Sequence, residues 1–413
     1  GPYTQILIDS RPVFSALSGV YGLEQIPASM IERVEVMRGG GSALFGSSAI
    51  AGTINIITKE PLRNSGQLSH TITSLGGSSS FDNNTSLNAS LVTDDHRAGL
   101  YIFGQNRYRS GYDYDGDGFT ELPKLKNQTV GFRSYLKTST YSKLTFEYHH
   151  MQEFRRGGDM LNRPPHEAHI AEQLQHSIDG GSLKFDYFSP DEKNRLSVFA
   201  SAANTDRDSY YGPGNDPLKA YGKTTDLTAM GGAQYVHTFD KCFFMPSDLT
   251  AGLEYNRDRL KDNMWGYNRH TDQTVNIYSA FLQNEWKNDR WGILIGGRLD
   301  KHNMVDNVIF SPRANLRFNP TQNINLRLSY SSGFRAPQAF DEDMHIENVG
   351  GTVAMIERAK DLKEEKSQSF SVSADMYHRF GAFQTNLLIE GFYTRLTDVF
   401  VLGKPYDRGD GIL

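Results

Sequence analysis

The 413-residue sequence has one cysteine, Cys242, so no disulfide can form within the chain. A catalytic thiol there would have only Asp240-Lys241 beside it, and we read Cys242 as a buried or lipid-facing side chain. Tryptophan is scarce as well, at 3 residues against 21 Tyr and 24 Phe. No run of about 18 apolar residues occurs, which excludes a transmembrane helix. The mean hydropathy of -0.52 leaves barrel strands open, because such a strand needs only about ten residues with every second one apolar. An excess of positive charge is also lacking: 43 Lys and Arg face 48 Asp and Glu, for a net charge of -5. Nucleic acid is therefore not the expected partner. The chain opens at Gly1-Pro2-Tyr3 with no signal-type segment and stops at Gly411-Ile412-Leu413 after an apparent turn, so truncation at both ends is the expectation.

What is present divides in two. Residues 1–62 read as a small mixed α/β unit. Ile6-Leu7-Ile8-Asp9 is a short strand ending in an Asp turn, and Ile26 to Arg33 reads as a helix entry with Pro27 and Ser29 near its start. Val34 to Met37 is a strand broken by Gly39-Gly40-Gly41. Ser42 to Gly46 is a helical turn, and Thr53 to Thr58 is a further strand. A phosphate-binding loop is excluded at the glycines, because no Gly-Lys-Ser/Thr closes the run and no βαβ series follows.

Residues 63–413 alternate with period two. Leu144, Phe146 and Tyr148 alternate with Thr145, Glu147 and His149, and Phe370, Val372 and Ala374 alternate with Ser371, Ser373 and Asp375. Roughly fifteen such segments occur, many about ten residues long, where globular strands average five or six. Tight connections such as 138–142 alternate with long polar ones at 110–126, 153–178, 206–226 and 335–365. That asymmetry predicts a mostly β chain: an incomplete, large antiparallel transmembrane β-barrel with extracellular ligand-capturing loops.

Three stretches carry a family resemblance: Ile31-Glu32-Arg33-Val34-Glu35-Val36 with Arg38-Gly39, Ala43-Leu44-Phe45-Gly46, and Ala49 to Thr58 with Gly52. Together they resemble the plug domain of TonB-dependent outer-membrane receptors. Gly297 to Asp300, Ser311 to Ala314 and Ser332 to Pro337 resemble barrel segments of that family. The resemblance implies a barrel of about 22 strands with the plug in its lumen. It also implies TonB as partner, with its contact box outside this chain, a surface lipoprotein as a further partner, and outer-membrane lipids around the barrel. Glu32, Arg33, Glu35 and Arg38 are expected to pair with the barrel wall, since buried charges must be paired. Glycines 39–41, 46 and 52 permit tight turns.

Other constellations concern the ligand. Asp113-Tyr114-Asp115-Gly116-Asp117-Gly118-Phe119-Thr120-Glu121 resembles the start of an EF-hand loop: hard oxygens at alternate positions, a turn-making Gly, and Glu121 as substitute for the bidentate Glu that Lys124 replaces. We expect Ca²⁺ there, as in some cobalamin-importing relatives; a solvated acidic turn is the other reading. His166 and His169 could form a metal pair, but no further ligands stand nearby, so a loop surface that could touch a ligand is the preferred reading. Phe334-Arg335-Ala336-Pro337 with His345 resembles the box of haem receptors, although Ala359-Lys360 stand where the family has Asn-Pro before Asp-Leu. A structural motif at the barrel lip is the better-supported reading of that box. The leading expectation is active import of a scarce large nutrient, cobalamin first, then haem or a ferric siderophore. A barrel enzyme would need a nucleophile set, and no Gly-x-Ser-x-Gly elbow occurs. A passive porin or adhesin has no use for a plug.

Overall fold

The two halves of the sequence form two separate sheets. In the computed structural model the described residues are 4–10, 26–38, 46, 49–50, 52–213, 220–339, 344, 347–349, 352–359, 361–407, 409 and 413. The first sheet contains β1 (Thr4–Ile8), β2 (Ile31–Arg38) and β3 (Gly52–Thr58) in the order β1-β3-β2. β3 lies parallel to β1 and antiparallel to β2. It takes the centre because Ile54, Ile56 and Ile57 make it apolar on both faces. The helix expected over 26–33 is reduced to one 3-10 turn, Ala28–Met30. From Ile31 the β-branched Ile31, Val34 and Val36 favour pairing with β3, and the register runs from Ile31 opposite Thr58 to Arg38 opposite Gly52. Of the helical turn expected over 42–46, all but Gly46 lies outside the described residues.

The second sheet is built from β4 (Ser65–Ser74), β5 (Phe81–Val92), β6 (Ala98–Arg109), β7 (Thr120–Ser139), β8 (Ser142–Gly158), β9 (Ile170–Phe188), β10 (Asn194–Pro213) and β11 (Tyr221–Cys242). It continues through β12 (Met245–Met264), β13 (Arg269–Lys287), β14 (Trp291–His302), β15 (Ile309–Thr321) and β16 (Ile324–Arg335). A small separate hairpin of β17 (Glu347–Val349) and β18 (Thr352–Ala354) intervenes before β19 (Glu365–Phe380) and β20 (Phe383–Thr397). All 15 strands of the large sheet pair antiparallel in chain order, with β16 followed by β19. The number and the antiparallel order match the alternation seen in the sequence.

Two expected loops are instead strand. Most of 153–178 and 206–226 extends β8 to β11, which reach 17, 19, 20 and 22 residues. Both faces of a strand are polar where it rises clear of lipid, so the sequence loses its apolar alternation there while the ladder continues. Segment 336–364 remains the longest connection.

One face of the sheet is polar and covered, and the other is apolar and bare. Glu147 and His149 are buried while Phe146 and Tyr148 stand exposed. Leu183, Leu253, Leu282, Leu328 and Val372 are likewise exposed. A soluble sandwich reverses this arrangement; a wall facing lipid requires it. Aromatic side chains mark the limits of the apolar band. Tyr141, Phe188, Phe243, Phe244, Trp286 and Trp291 cluster at the short turns, with Phe244 stacked on Trp286 and Trp291 on Phe318. About ten residues higher, Tyr255 and Tyr278 face each other in register with ring centroids 4.9 Å apart. Ten tilted strand residues span roughly the 25 Å of an outer-membrane apolar band.

The first sheet rests on the polar face. Ile8, Ile26, Met30 and Ile56 pack with Tyr101, Phe103 and Ala203 of β6 and β10, joined by Ile6, Ile31 and Ile54.

Candidate functional site

The tightest union of the two sheets is a charged cluster. Asp9 ends β1 in a turn of positive φ (49° at Asp9, 65° at Ser10) and binds the Thr58 amide and hydroxyl at 3.0 and 2.6 Å. From the wall, Arg133 reaches Asp9 and Thr58 directly, Glu60 at 3.4 Å and its register partner Glu147 at 3.4 Å. Lys143 adds a bond of 3.1 Å to Glu60. Three carboxylates thus meet two cations at the foot of the wall. Nearby, the Tyr101 hydroxyl donates to the Ser29 carbonyl at 2.5 Å, and farther round the wall the Ser367 hydroxyl donates to Ile50 O at 3.4 Å. At Gly46, with φ of +81°, a side chain would meet Arg298 Nη2 at 3.3 Å, so only glycine suits both the turn and the close approach.

Sequence reasoning placed the wall contacts elsewhere. Arg33 and Glu35 pair with each other at 2.8 Å on an exposed face, Glu35 also accepting from Asn55 at 3.2 Å, while Glu32, though exposed, lies within electrostatic reach of Tyr101 on the wall. They alternate along β2 with exposed Val34 and Val36, whereas Asp9 and Glu60 sit at strand ends that touch the wall. The Arg38 side chain and Gly39 lie outside the described residues, and Gly52 opens β3. Arg133 was the missed residue. Its signal was an arginine at an inward position beside Glu147, within an apolar-outward alternation.

The acidic loop between β6 and β7 gathers as expected. One carboxylate oxygen each from Asp113, Asp115, Asp117 and Glu121 lies within 4.8 Å of the others. Two oxygens on opposite sides of a Ca²⁺, each at 2.3–2.6 Å, are separated by about that distance, so the donor set fits the ion in chemistry and span. Asp113 accepts the amides of Gly116 at 2.7 Å and Gly118 at 2.9 Å, and both glycines have positive φ (79° and 93°). Glu121 accepts the Tyr114 amide at 2.5 Å, and a Tyr112–Leu122 bridge closes the loop.

His166 and His169 have different partners. His166 Nδ1 bonds to the Tyr221 hydroxyl at 2.8 Å, and His169 Nδ1 bonds to Asp159 at 2.6 Å. Burial alone would raise the Asp159 carboxyl, but the His169 side chain and the Ile170 and His169 amides outweigh it and hold the carboxyl below its usual range. Neither histidine joins a cluster of three or more metal-type ligands among the described residues. Arg335 is buried at the end of β16, 3.4 Å from Glu365 and over the Phe400 ring at 5.4 Å, and Phe334 is buried with Val305, Ile309 and Ala336. The box is packed at the end of β16, and His345 lies outside the described residues.

Comparison with known proteins covers both sheets. Residues 53–411 match the family described as TonB dependent receptor-like, beta-barrel, and residues 1–53 match the TonB-dependent Receptor Plug Domain. A vitamin B12 transporter BtuB of Vibrio vulnificus is 23% identical over 352 residues, which cover 81% of this chain and 52% of that protein. An iron-regulated outer membrane virulence protein of Vibrio cholerae is 27% identical over 357 residues, covering 81% and 50%. The chain thus spans about half the length of the curated relatives it matches. Among solved structures, the siderophore receptor PirA from Acinetobacter baumannii superposes with a TM-score of 0.75 at 18% identity, over 95% of this chain and 70% of that one. The ferric enterobactin receptor PfeA from Pseudomonas aeruginosa, in complex with BCV-L6, gives 0.76 at 18%, over 96% and 64%.

Proposed function

This chain belongs to the TonB-dependent receptors, a family of outer-membrane receptors rather than enzymes, and on that premise we propose that it serves active import of a scarce, large nutrient, cobalamin first. The carrying observation is the small sheet lodged against the polar face of the wall through Asp9, Glu60 and Arg133. In this reading residues 1–62 form the plug, which TonB pulls, and residues 63–413 form the surrounding wall. Ion pairs suit a joint that must hold at rest and part under load, since water can replace each partner. Substrate bonds stay intact throughout, so no nucleophile is required.

Cobalamin is favoured by the acidic loop and by the similarity to B12 transporters. Ca²⁺ held by Asp113, Asp115, Asp117 and Glu121 would order the loop at the extracellular rim and tighten ligand binding. A ferric complex is the second reading. It is favoured by the similarity to an iron-regulated outer membrane virulence protein. The test incubates purified full-length protein with cyanocobalamin, haemin or ferric enterobactin, removes free ligand and records absorption. Retained cobalamin supports the first reading, and retained iron complex transfers the function to the second. Retention of none, with liposomes made permeable to small sugars, would overturn import.

A further inference from the structure

On the lipid-facing side of β12 the side chains change character abruptly. Leu249, Ala251, Leu253 and Tyr255 point outward through the apolar band, and the next three outward positions are Arg257, Arg259 and Lys261. All three are exposed. Alternate residues of a strand stand about 7 Å apart, so the three cations form a ladder roughly 14 Å tall that starts just above the Tyr255–Tyr278 pair. Their neighbours do little to neutralise them. On β11 they face Ala229, Leu227 and Thr225, and on β13 Asn276, Thr274 and Asp272. Asp272 is the sole acid among these partners, 3.8 Å from Arg259 and 3.9 Å from Lys261, at the loose limit of an ion pair. Arg257 has no ion pair or side-chain hydrogen bond among the described residues.

Position limits the partner. A side chain one or two residues above the aromatic girdle of an outward face stands at the headgroup level of the outer leaflet. Leu227, exposed directly opposite Arg259, keeps that level in contact with lipid. Arginine donates two parallel hydrogen bonds to phosphate, and the stems of Arg and Lys can lie along acyl chains while their heads reach the interface. We propose that Arg257, Arg259 and Lys261 form a binding ladder for the phosphate groups of a phosphorylated outer-leaflet glycolipid, which fastens to β12 and braces the extracellular extension of the β11–β13 wall. The site lies on the opposite face from the nutrient path and does not depend on which nutrient is imported.

The full-length protein in detergent is titrated with bisphosphorylated lipid A and with the same lipid after phosphatase treatment, bound lipid being read by native mass spectrometry. Each cation near an anionic lipid is worth roughly fivefold in affinity. The phosphorylated lipid should therefore bind at least about tenfold tighter, with an advantage that shrinks as salt rises. R257Q/R259Q/K261Q should abolish the preference while the protein keeps its heat-modifiable migration on gels and its nutrient binding. As control, K124Q/K126Q on β7 should leave the preference intact. Equal binding of both lipids, or an undiminished preference in the triple variant, overturns the proposal.

Discussion

Two charged regions of this receptor solve opposite problems. At the foot of the wall, Asp9, Glu60 and Glu147 converge on Arg133 and Lys143, so each carboxylate has a cation within 3.4 Å. At the extracellular rim, Asp113, Asp115, Asp117 and Glu121 converge on one another and on backbone amides alone. Both clusters gather acids, yet the first is balanced by the protein and the second is not. A balanced cluster is complete as folded and acts as a joint. An unbalanced one, exposed and shaped to the span of a hard cation, gains most from something added. Charge balance separates a structural site from a receptive one here, and acid content does not.

Removing the balancing cation should have the largest effect. Arg133→Leu would leave Asp9 and Glu147 facing each other in a half-buried site, and breaking such a pair costs about 3–5 kcal/mol. The expected outcome is loss of plug seating, measured as new protease sites in residues 1–62 while the barrel stays folded. Lys143→Leu, whose partner Glu60 is well exposed, should cost no more than about 1 kcal/mol. Equal effects from the two would break the comparison. The rim comes next. Asp115→Asn with Asp117→Asn should abolish Ca²⁺ binding by isothermal titration, where the unaltered loop is expected to bind at roughly 0.1–1 mM, as extracellular modules do. Nutrient affinity that is the same in EDTA and in calcium would remove any role for the ion.

The Asp159–His169 clasp is an intermediate case, with one acid, one imidazole and two amides. Its folded carboxyl lies below the unfolded value, so its contribution is complete above about pH 4 and lost as pH falls through the folded value. Hydrogen exchange at the His169 and Ile170 amides, corrected for intrinsic rates, should therefore accelerate only in that acid window. Asp159→Asn should make it uniformly fast; an unchanged rate in that variant would remove the clasp.

Legibility in the sequence followed the range of the interaction. The apolar alternation of β8 or β19 is local, and it gave the strands, their number and the lipid-facing side directly. The acidic loop was equally legible, because its four carboxylates lie within nine residues. The joint was not. Asp9, Glu60 and Arg133 come from three distant points, and nothing in Arg-Val-Glu of β2 reveals that Arg33 bonds its own neighbour Glu35 instead of the wall. The strand extensions at 153–178 were hidden for a related reason. Glu153, Arg155 and His176 look like loop residues, yet they face the lumen, Arg155 bonding Glu153 along β8 at 2.8 Å and His176 lying 3.5 Å from Glu153 across the ladder.

The smallest expected effect tests whether the joint is electrostatic or simply close-packed. Tyr101→Phe removes one hydroxyl, which donates to the Ser29 carbonyl, and leaves the ring in its contacts with Ile8, Ile26 and Met30. A neutral hydrogen bond contributes about 1 kcal/mol net, so denaturant unfolding of the plug should shift by that much and no more. Tyr101 and Arg133 bond to different parts of the small sheet: one binds the 3-10 turn, the other the strand ends. The double variant should therefore lose the sum of the two single losses within about 0.5 kcal/mol. A larger departure would mean that the plug shifts as a whole once either contact is lost, and the charged cluster would then be one contact among many rather than the joint.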